Sequence, residues 1–168
     1  MPTCYAGSTV HSSPKRTFHR YLSPCTEDQL KRDCIADFVG DTSATPVQLS
    51  AAERNVVVQA LHDRLNVDVE AQMTWDAVDA PHGVQTANGW KLLPIFVGKA
   101  PCLVFSAYAT SIWEFANGAE LLLFLKASPP FEFYVCDALA TYLLCCNDHD
   151  FITGWGRSVE WVRQLKTG

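Results

Sequence analysis

The sequence predicts an α+β fold: one largely antiparallel β-sheet in a single domain, flanked by helices at its N- and C-terminal ends. Two capping boxes open segments with helical apolar spacing, Thr26 with Gln29 and Ser50 with Glu53. From Val67 onward the pattern changes to short apolar segments between turn residues. Two of these, residues 131–136 and 141–146, are apolar at both odd and even positions. Such strands sit centrally in a sheet that is covered on each side.

Residues 1–24 hold Pro2, Pro14 and Pro24 and scattered apolar residues, and they read as an irregular arm ahead of a domain spanning 25–168. The first helix starts at Thr26 and carries Leu30, Cys34, Ile35 and Phe38 on one side. A linker, 40–46, contains Gly40, Asp41 and Pro46. In the second helix Val57, Leu61 and Leu65 recur every four residues, which makes one apolar stripe. Residues 71–78, 90–97 and 102–107 read as strands, bounded by Pro81-His82-Gly83, Asn88-Gly89 and Gly98-Lys99-Ala100-Pro101. Asn117 caps a helix with Glu120 at its third position, and the apolar stretch 121–125 demands cover on most sides. Pro129-Pro130 ends it, and 131–136 with 141–146 form a hairpin. A strand over 151–155 and a helix over 157–166, with Val159, Val162 and Leu165 inward, complete the domain.

A chain of 168 residues with 48% hydrophobic and 18% charged residues has the composition of a folded protein. The longest apolar stretch is far short of the roughly 20 residues that a membrane helix needs, and no membrane partner is expected. Lys15, Arg16 and Arg20 give the arm a charge of +3. The remainder holds ten basic residues against eighteen acidic ones, net −8. An acidic body repels a phosphate backbone, which argues against nucleic acid as the partner, and it suits a basic protein. The first residues lack the continuous apolar core of a secretory signal. Seven cysteines, several inside apolar runs, fit small buried hydrophobes in a reducing cytoplasm.

The chemistry concentrates around Asn147-Asp148-His149-Asp150, with Asp137, Cys136, Cys145 and Cys146 nearby. Thiolate and imidazole are natural zinc ligands, yet on a strand Cys145 and Cys146 point to opposite faces and cannot chelate one ion. No Cys-x-x-Cys pair is present, so neither a metal nor a cofactor is expected. A thiol hydrolase or transferase would use Cys146 as nucleophile, His149 as base and Asp148 to orient it. No glycine-rich oxyanion elbow surrounds either cysteine. An acid-base pair drawn from Asp137, Asp148 and Asp150 competes with the ordinary role of turn carboxylates, which is to satisfy free backbone donors. The remaining reading is a binding face: Asp148, His149 and Asp150 in one turn, Asp137 near it, and Asp76 and Asp79 beside Trp75. Each of the five tryptophans suits the core better than an interface, although with five at least one partly exposed ring is expected.

The pattern of Phe131-Glu132-Phe133-Tyr134-Val135-Cys136-Asp137, the run from Tyr142 through Asp148-His149-Asp150 to Gly154-Trp155-Gly156, and Trp161-Val162 with Leu165 resembles the C-terminal part of small bacterial immunity proteins. These protect a cell against its own polymorphic or secreted effector toxin. The resemblance covers about a fifth of the chain. It implies a cytoplasmic, non-enzymatic inhibitor of α+β fold that occludes the active site of a cognate toxin in a 1:1 complex. A phage or host regulatory adaptor would use the same binding physics with a different partner. The cysteine-rich strands and the basic arm are departures that the resemblance does not explain.

Overall fold

The computed structural model describes residues 34–165, apart from 41, 72, 73, 75, 76, 78, 79 and 82. The arm, the capping pair Thr26 and Gln29, and Trp75, Asp76 and Asp79 lie outside the described residues. The elements run α1 (Cys34–Val39), β1 (Val47–Gln48), α2 (Ala51–Leu65), β2 (Val84–Gln85), a 3-10 turn (Gly89–Lys91), α3 (Leu92–Val97), β3 (Cys102–Ser106), β4 (Trp113–Phe115), α4 (Gly118–Ala127), β5 (Phe133–Cys136), β6 (Tyr142–Cys146), β7 (Phe151–Gly156) and α5 (Val159–Gln164). Seven strands form one sheet in the order β1-β4-β3-β5-β6-β7-β2, and every neighbouring pair is antiparallel. The chain is an α+β domain, as its sequence predicts.

Period-two alternation sorts the strand residues into two cores. Cys102, Val104, Phe133, Val135, Tyr142, Leu144, Cys146 and Ile152 face a layer built by α1, α3, α4 and α5, with Ile35, Leu93, Phe124 and Val162 against them. Leu103, Phe105, Tyr134, Cys136, Leu143, Cys145 and Trp155 face Val57 and Leu61 of α2 and the segment holding Val67 and Val69. Cover on both faces explains why β3, β5 and β6 are buried at every position. Cys145 and Cys146 fall on opposite faces, as strand geometry requires.

Local signals set the helices. The Ser50 hydroxyl accepts from the Glu53 backbone N–H at 3.3 Å, and the Glu53 carboxylate accepts from the Ser50 N–H at 2.8 Å. At its other end α2 stops where Asn66 takes a left-handed conformation, φ 55°. Asn117 Oδ1 accepts from the Glu120 N–H at 3.0 Å and opens α4. The Glu120 carboxylate in turn accepts from the Thr45 and Ala116 backbone N–H groups, tying the linker to this helix.

Two expected strands take other forms. Residues 90–97 form the 3-10 turn and α3. Pro94 sits third in that helix, in the first turn, where its missing N–H leaves no intrahelical bond unmade. Leu93 and Val97, four apart, are both buried. Within 71–78 the described residues Ala71, Thr74 and Ala77 are in no strand. The hairpin of 131–136 with 141–146 is present as β5 and β6, with Phe133 opposite Cys146 and Cys136 opposite Leu143. The strand over 151–155 is β7, and the helix over 157–166 is shorter among the described residues, Val159–Gln164.

Candidate functional site

Phe133 begins β5 and Cys146 ends β6, so their cross-strand pair lies at one end of these central strands, on the face covered by α1, α3, α4 and α5. The β6–β7 connection leaves from this point. Asn147 is 6% exposed and organises it. Its Oδ1 accepts from the backbone N–H groups of His149 and Phe151, both at 3.0 Å. Its backbone N–H donates to Phe151 O at 3.1 Å and its carbonyl accepts from the Asp150 N–H at 3.2 Å. Asp150 closes the turn at φ 58°, a left-handed conformation that aspartate tolerates better than most residues.

The segment after β2 braces the turn from outside. Asp150 Oδ2 accepts from the Asn88 N–H at 3.3 Å, and Asp150 O accepts from the Thr86 N–H at 3.1 Å. Gln85 Nε2 donates to His149 O at 3.2 Å. Above this framework the Asp148 and His149 side chains remain 61% and 77% exposed, with His149 Nε2 at 3.7 Å from Asp148 Oδ1. A carboxylate and an imidazole therefore project into solvent from a turn held on both sides.

Beside the turn lies a cavity of about 170 Å³. Phe133 and Cys146 form its floor, Trp90, Leu125 and Phe131 are among its walls, and Asp148 and Asp150 stand at its acidic side. The sequence shows the acidic turn but not this hollow, because its walls come from four separated segments. Trp90 is half-buried, as are Trp113 and Trp161, which meets the expectation of at least one partly exposed tryptophan ring.

Of the other expected site residues only Asp137 is described, and it lies elsewhere. Asp137 caps the opposite hairpin, β5–β6: its Oδ1 accepts from the Thr141 N–H at 2.7 Å, and its Oδ2 accepts from the Thr141 hydroxyl. The Arg157 guanidinium, 4.0 Å from Asp137 Oδ2, also lies over the Tyr142 ring at 4.7 Å. The five residues of β6 put roughly 17 Å between the two turns. Asp137 thus joins no common face with Asp148 and Asp150 and serves as a turn cap.

The thiol-enzyme constellation is not assembled. The Cys146 S–H donates to Asn147 O at 3.8 Å, while the His149 ring is turned toward Asp148 in solvent. Burial, then the negative charges of Asp150 and Asp148, push the Cys146 thiol well above the ordinary cysteine range. Cys102 is pushed up to about 12, by burial first and then by Glu120 and Glu114. Burial also raises Cys136 and Cys145. A nucleophilic cysteine needs the opposite shift. Iodoacetamide at pH 8 is therefore expected to leave Cys102, Cys136, Cys145 and Cys146 unlabelled in the native protein and to label all four in urea, as read by peptide mass mapping. Fast native labelling of Cys146 would restore the thiol-enzyme reading. Among the described residues no group of three or more His, Cys, Asp or Glu side chains is placed to hold a metal ion. Among them, too, no helix is long and apolar enough to cross a membrane.

Comparison with protein-family models, with curated proteins and with solved structures finds no match to this chain.

Proposed function

We propose that the chain is a binding protein of the immunity type, which docks one-to-one on a basic cognate toxin through the β6–β7 turn and occludes its active site without chemistry of its own. One observation carries this reading: Asp148 and His149 are exposed, yet the turn that bears them is fixed by buried Asn147, by the Gln85 contact to His149 and by the Thr86 and Asn88 contacts to Asp150. A pre-ordered charged loop loses little conformational entropy on binding, which is what a tight inhibitor needs. Its sign suits a basic partner and speeds association. Among the described residues Cys102, Cys136, Cys145 and Cys146 are free and buried, which supports a reducing compartment such as the cytoplasm.

Charge reversal is best confined to Asp148. Asp150 holds a left-handed backbone and accepts from Asn88, so replacing it by lysine would disturb the turn itself. Asp148→Lys is expected to leave the unfolding free energy within about 0.5 kcal/mol of wild type, as for most exposed substitutions. In affinity capture from lysate of the source cell, wild type should retain a stoichiometric basic partner through a salt wash, and the variant should lose it. With the purified partner, the association rate should fall at least tenfold at low salt and the difference should shrink as salt is added. Equal retention by the two proteins at low salt would remove this turn from the interface.

A further inference from the structure

The cavity beside the turn has a volume and a chemistry that restrict what enters it. At about 170 Å³ it is close to the ~150 Å³ cavity that accepts a benzene-sized group, and well below the ~300 Å³ at which cofactor and drug-sized pockets begin. It has room for one side chain. Phe133, Trp90, Leu125 and Phe131 call for hydrocarbon or a flat ring. Among the described residues, the lining carries two carboxylates, Asp148 and Asp150, and no basic group. An apolar well with an acidic side fits a group whose stem is hydrocarbon and whose head is cationic.

Trp90 adds a separate indication. The ammonium of its neighbour Lys91 lies 5.2 Å from the Trp90 ring centroid, so the chain's own cation already uses that ring. Lys91 is exposed and does not line the cavity. It competes with, and repels, any cation brought in from outside.

We infer that this cavity is the anchor pocket of the interface: it receives one long basic side chain, lysine or arginine, from the partner. The stem packs on Trp90, Leu125 and Phe131, and the head pairs with Asp148 and Asp150. The identity of the occupant's owner rests on the binding function proposed above, whereas the pocket's preference for an alkyl cation does not. Interfaces commonly place such an anchor in a desolvated pocket ringed by weaker contacts.

The test titrates the full-length 15N-labelled protein with n-butylammonium chloride and with n-propylguanidinium chloride, standing for lysine and arginine. 1-Pentanol and sodium pentanoate at matched ionic strength are the neutral and anionic controls. Saturable shifts are expected at the Trp90 indole N–H and at the Asn88 and Asp150 amides, with the cations binding at least fivefold more tightly than pentanol and pentanoate producing none. Asp148→Asn should weaken cation binding by about 1.4-fold to fivefold, the range of an exposed ion pair. Lys91→Gln should tighten it. Equal binding of 1-pentanol and n-butylammonium would overturn the basic occupant, and absence of shifts with every probe would overturn the pocket. If capture of a basic partner depends on Asp148 while no probe shifts these resonances, the anchor pocket fails and the docking function stands. If the probes bind as expected but no partner is captured, the pocket stands as a cation site and the docking function fails.

Discussion

Gly118→Ala is expected to destabilise the domain by about 3 kcal/mol, lowering the urea midpoint with an unchanged slope. Two effects of opposite sign act at this position. Gly118 opens α4, and alanine is intrinsically the better helix former by up to ~1 kcal/mol. A Cβ built on Gly118, however, meets the Pro94 carbonyl oxygen at 2.0 Å and Gly98 O at 3.1 Å. Both are backbone atoms, so no rotamer change relieves the contact. The Gly118 N–H also donates to Gly98 O at 2.8 Å, and the Gly98 N–H to Pro94 O at 3.0 Å, so the C-terminal end of α3 rests on the start of α4. Pushing them apart weakens the packing of Leu93 and Val97 with Leu121 and Phe124, and the steric loss exceeds the propensity gain.

The expected loss extends to the cavity. Trp90 lies in the 3-10 turn that leads into α3 and Leu125 belongs to α4, so the gap between two of the cavity's walls depends on this close approach. The Gly118→Ala protein should bind n-butylammonium more weakly than wild type even under conditions where it remains folded. Gly40→Ala is the control, since a Cβ there meets nothing within 4 Å among the described residues, and a change within about 0.5 kcal/mol is expected. A Gly118→Ala protein as stable as wild type would mean that the two helices can shift freely.

The parts of this fold that the sequence reveals are those fixed by neighbours in the chain. The Ser50–Glu53 box, the Asn117 cap and the Val57, Leu61, Leu65 stripe each need only residues within a turn or two of one another. β5 and β6 reveal their central place because both faces of each must be apolar. Residues 90–97 mislead because Trp90, Ile95, Phe96 and Val97 favour a strand, while the helix is imposed by packing of Leu93 and Val97 on the sheet. Pro94 held the better clue, since it is excluded from a central strand but tolerated in a first helical turn. β1 and β2, two residues each, are too short to carry a period, and β4 adds only three residues.

The site divides in the same way. Asp148, His149 and Asp150 are adjacent, so their turn is visible as a run of polar residues between apolar strands. Asp137 looks equivalent because its distance along β6 disappears in a list of carboxylates, and only the hairpin shows that its oxygens are occupied by Thr141. The cavity could not be seen at all, since Trp90, Leu125, Phe131 and Cys146 meet only through sheet register and helix placement.

Asn147→Ala should have the largest effect on the turn itself. The side chain is buried, and its Oδ1 alone satisfies two backbone N–H groups, those of His149 and Phe151. Alanine removes both bonds. The His149 N–H lies in an exposed residue and can turn to water, whereas Phe151 is partly buried at the start of β7 and its N–H is satisfied less easily. The net loss is about 2 kcal/mol, between one ordinary hydrogen bond and a fully unsatisfied buried donor. Asn147→Asp keeps an acceptor in place and should lose less, offset by repulsion from Asp148 and Asp150. The effect on binding is separate, because the alanine protein must order residues 147–150 anew at each encounter, at about 1 kcal/mol or more per residue for those that become free. At least a tenfold faster dissociation from the partner is expected in Asn147→Ala, with the association rate nearly unchanged because Asp148 retains its charge. Asp148→Lys should show the converse, a slower association as its main effect. Finding the same kinetic signature for both variants would mean that the rigidity of the turn contributes nothing to its affinity beyond the charges it carries.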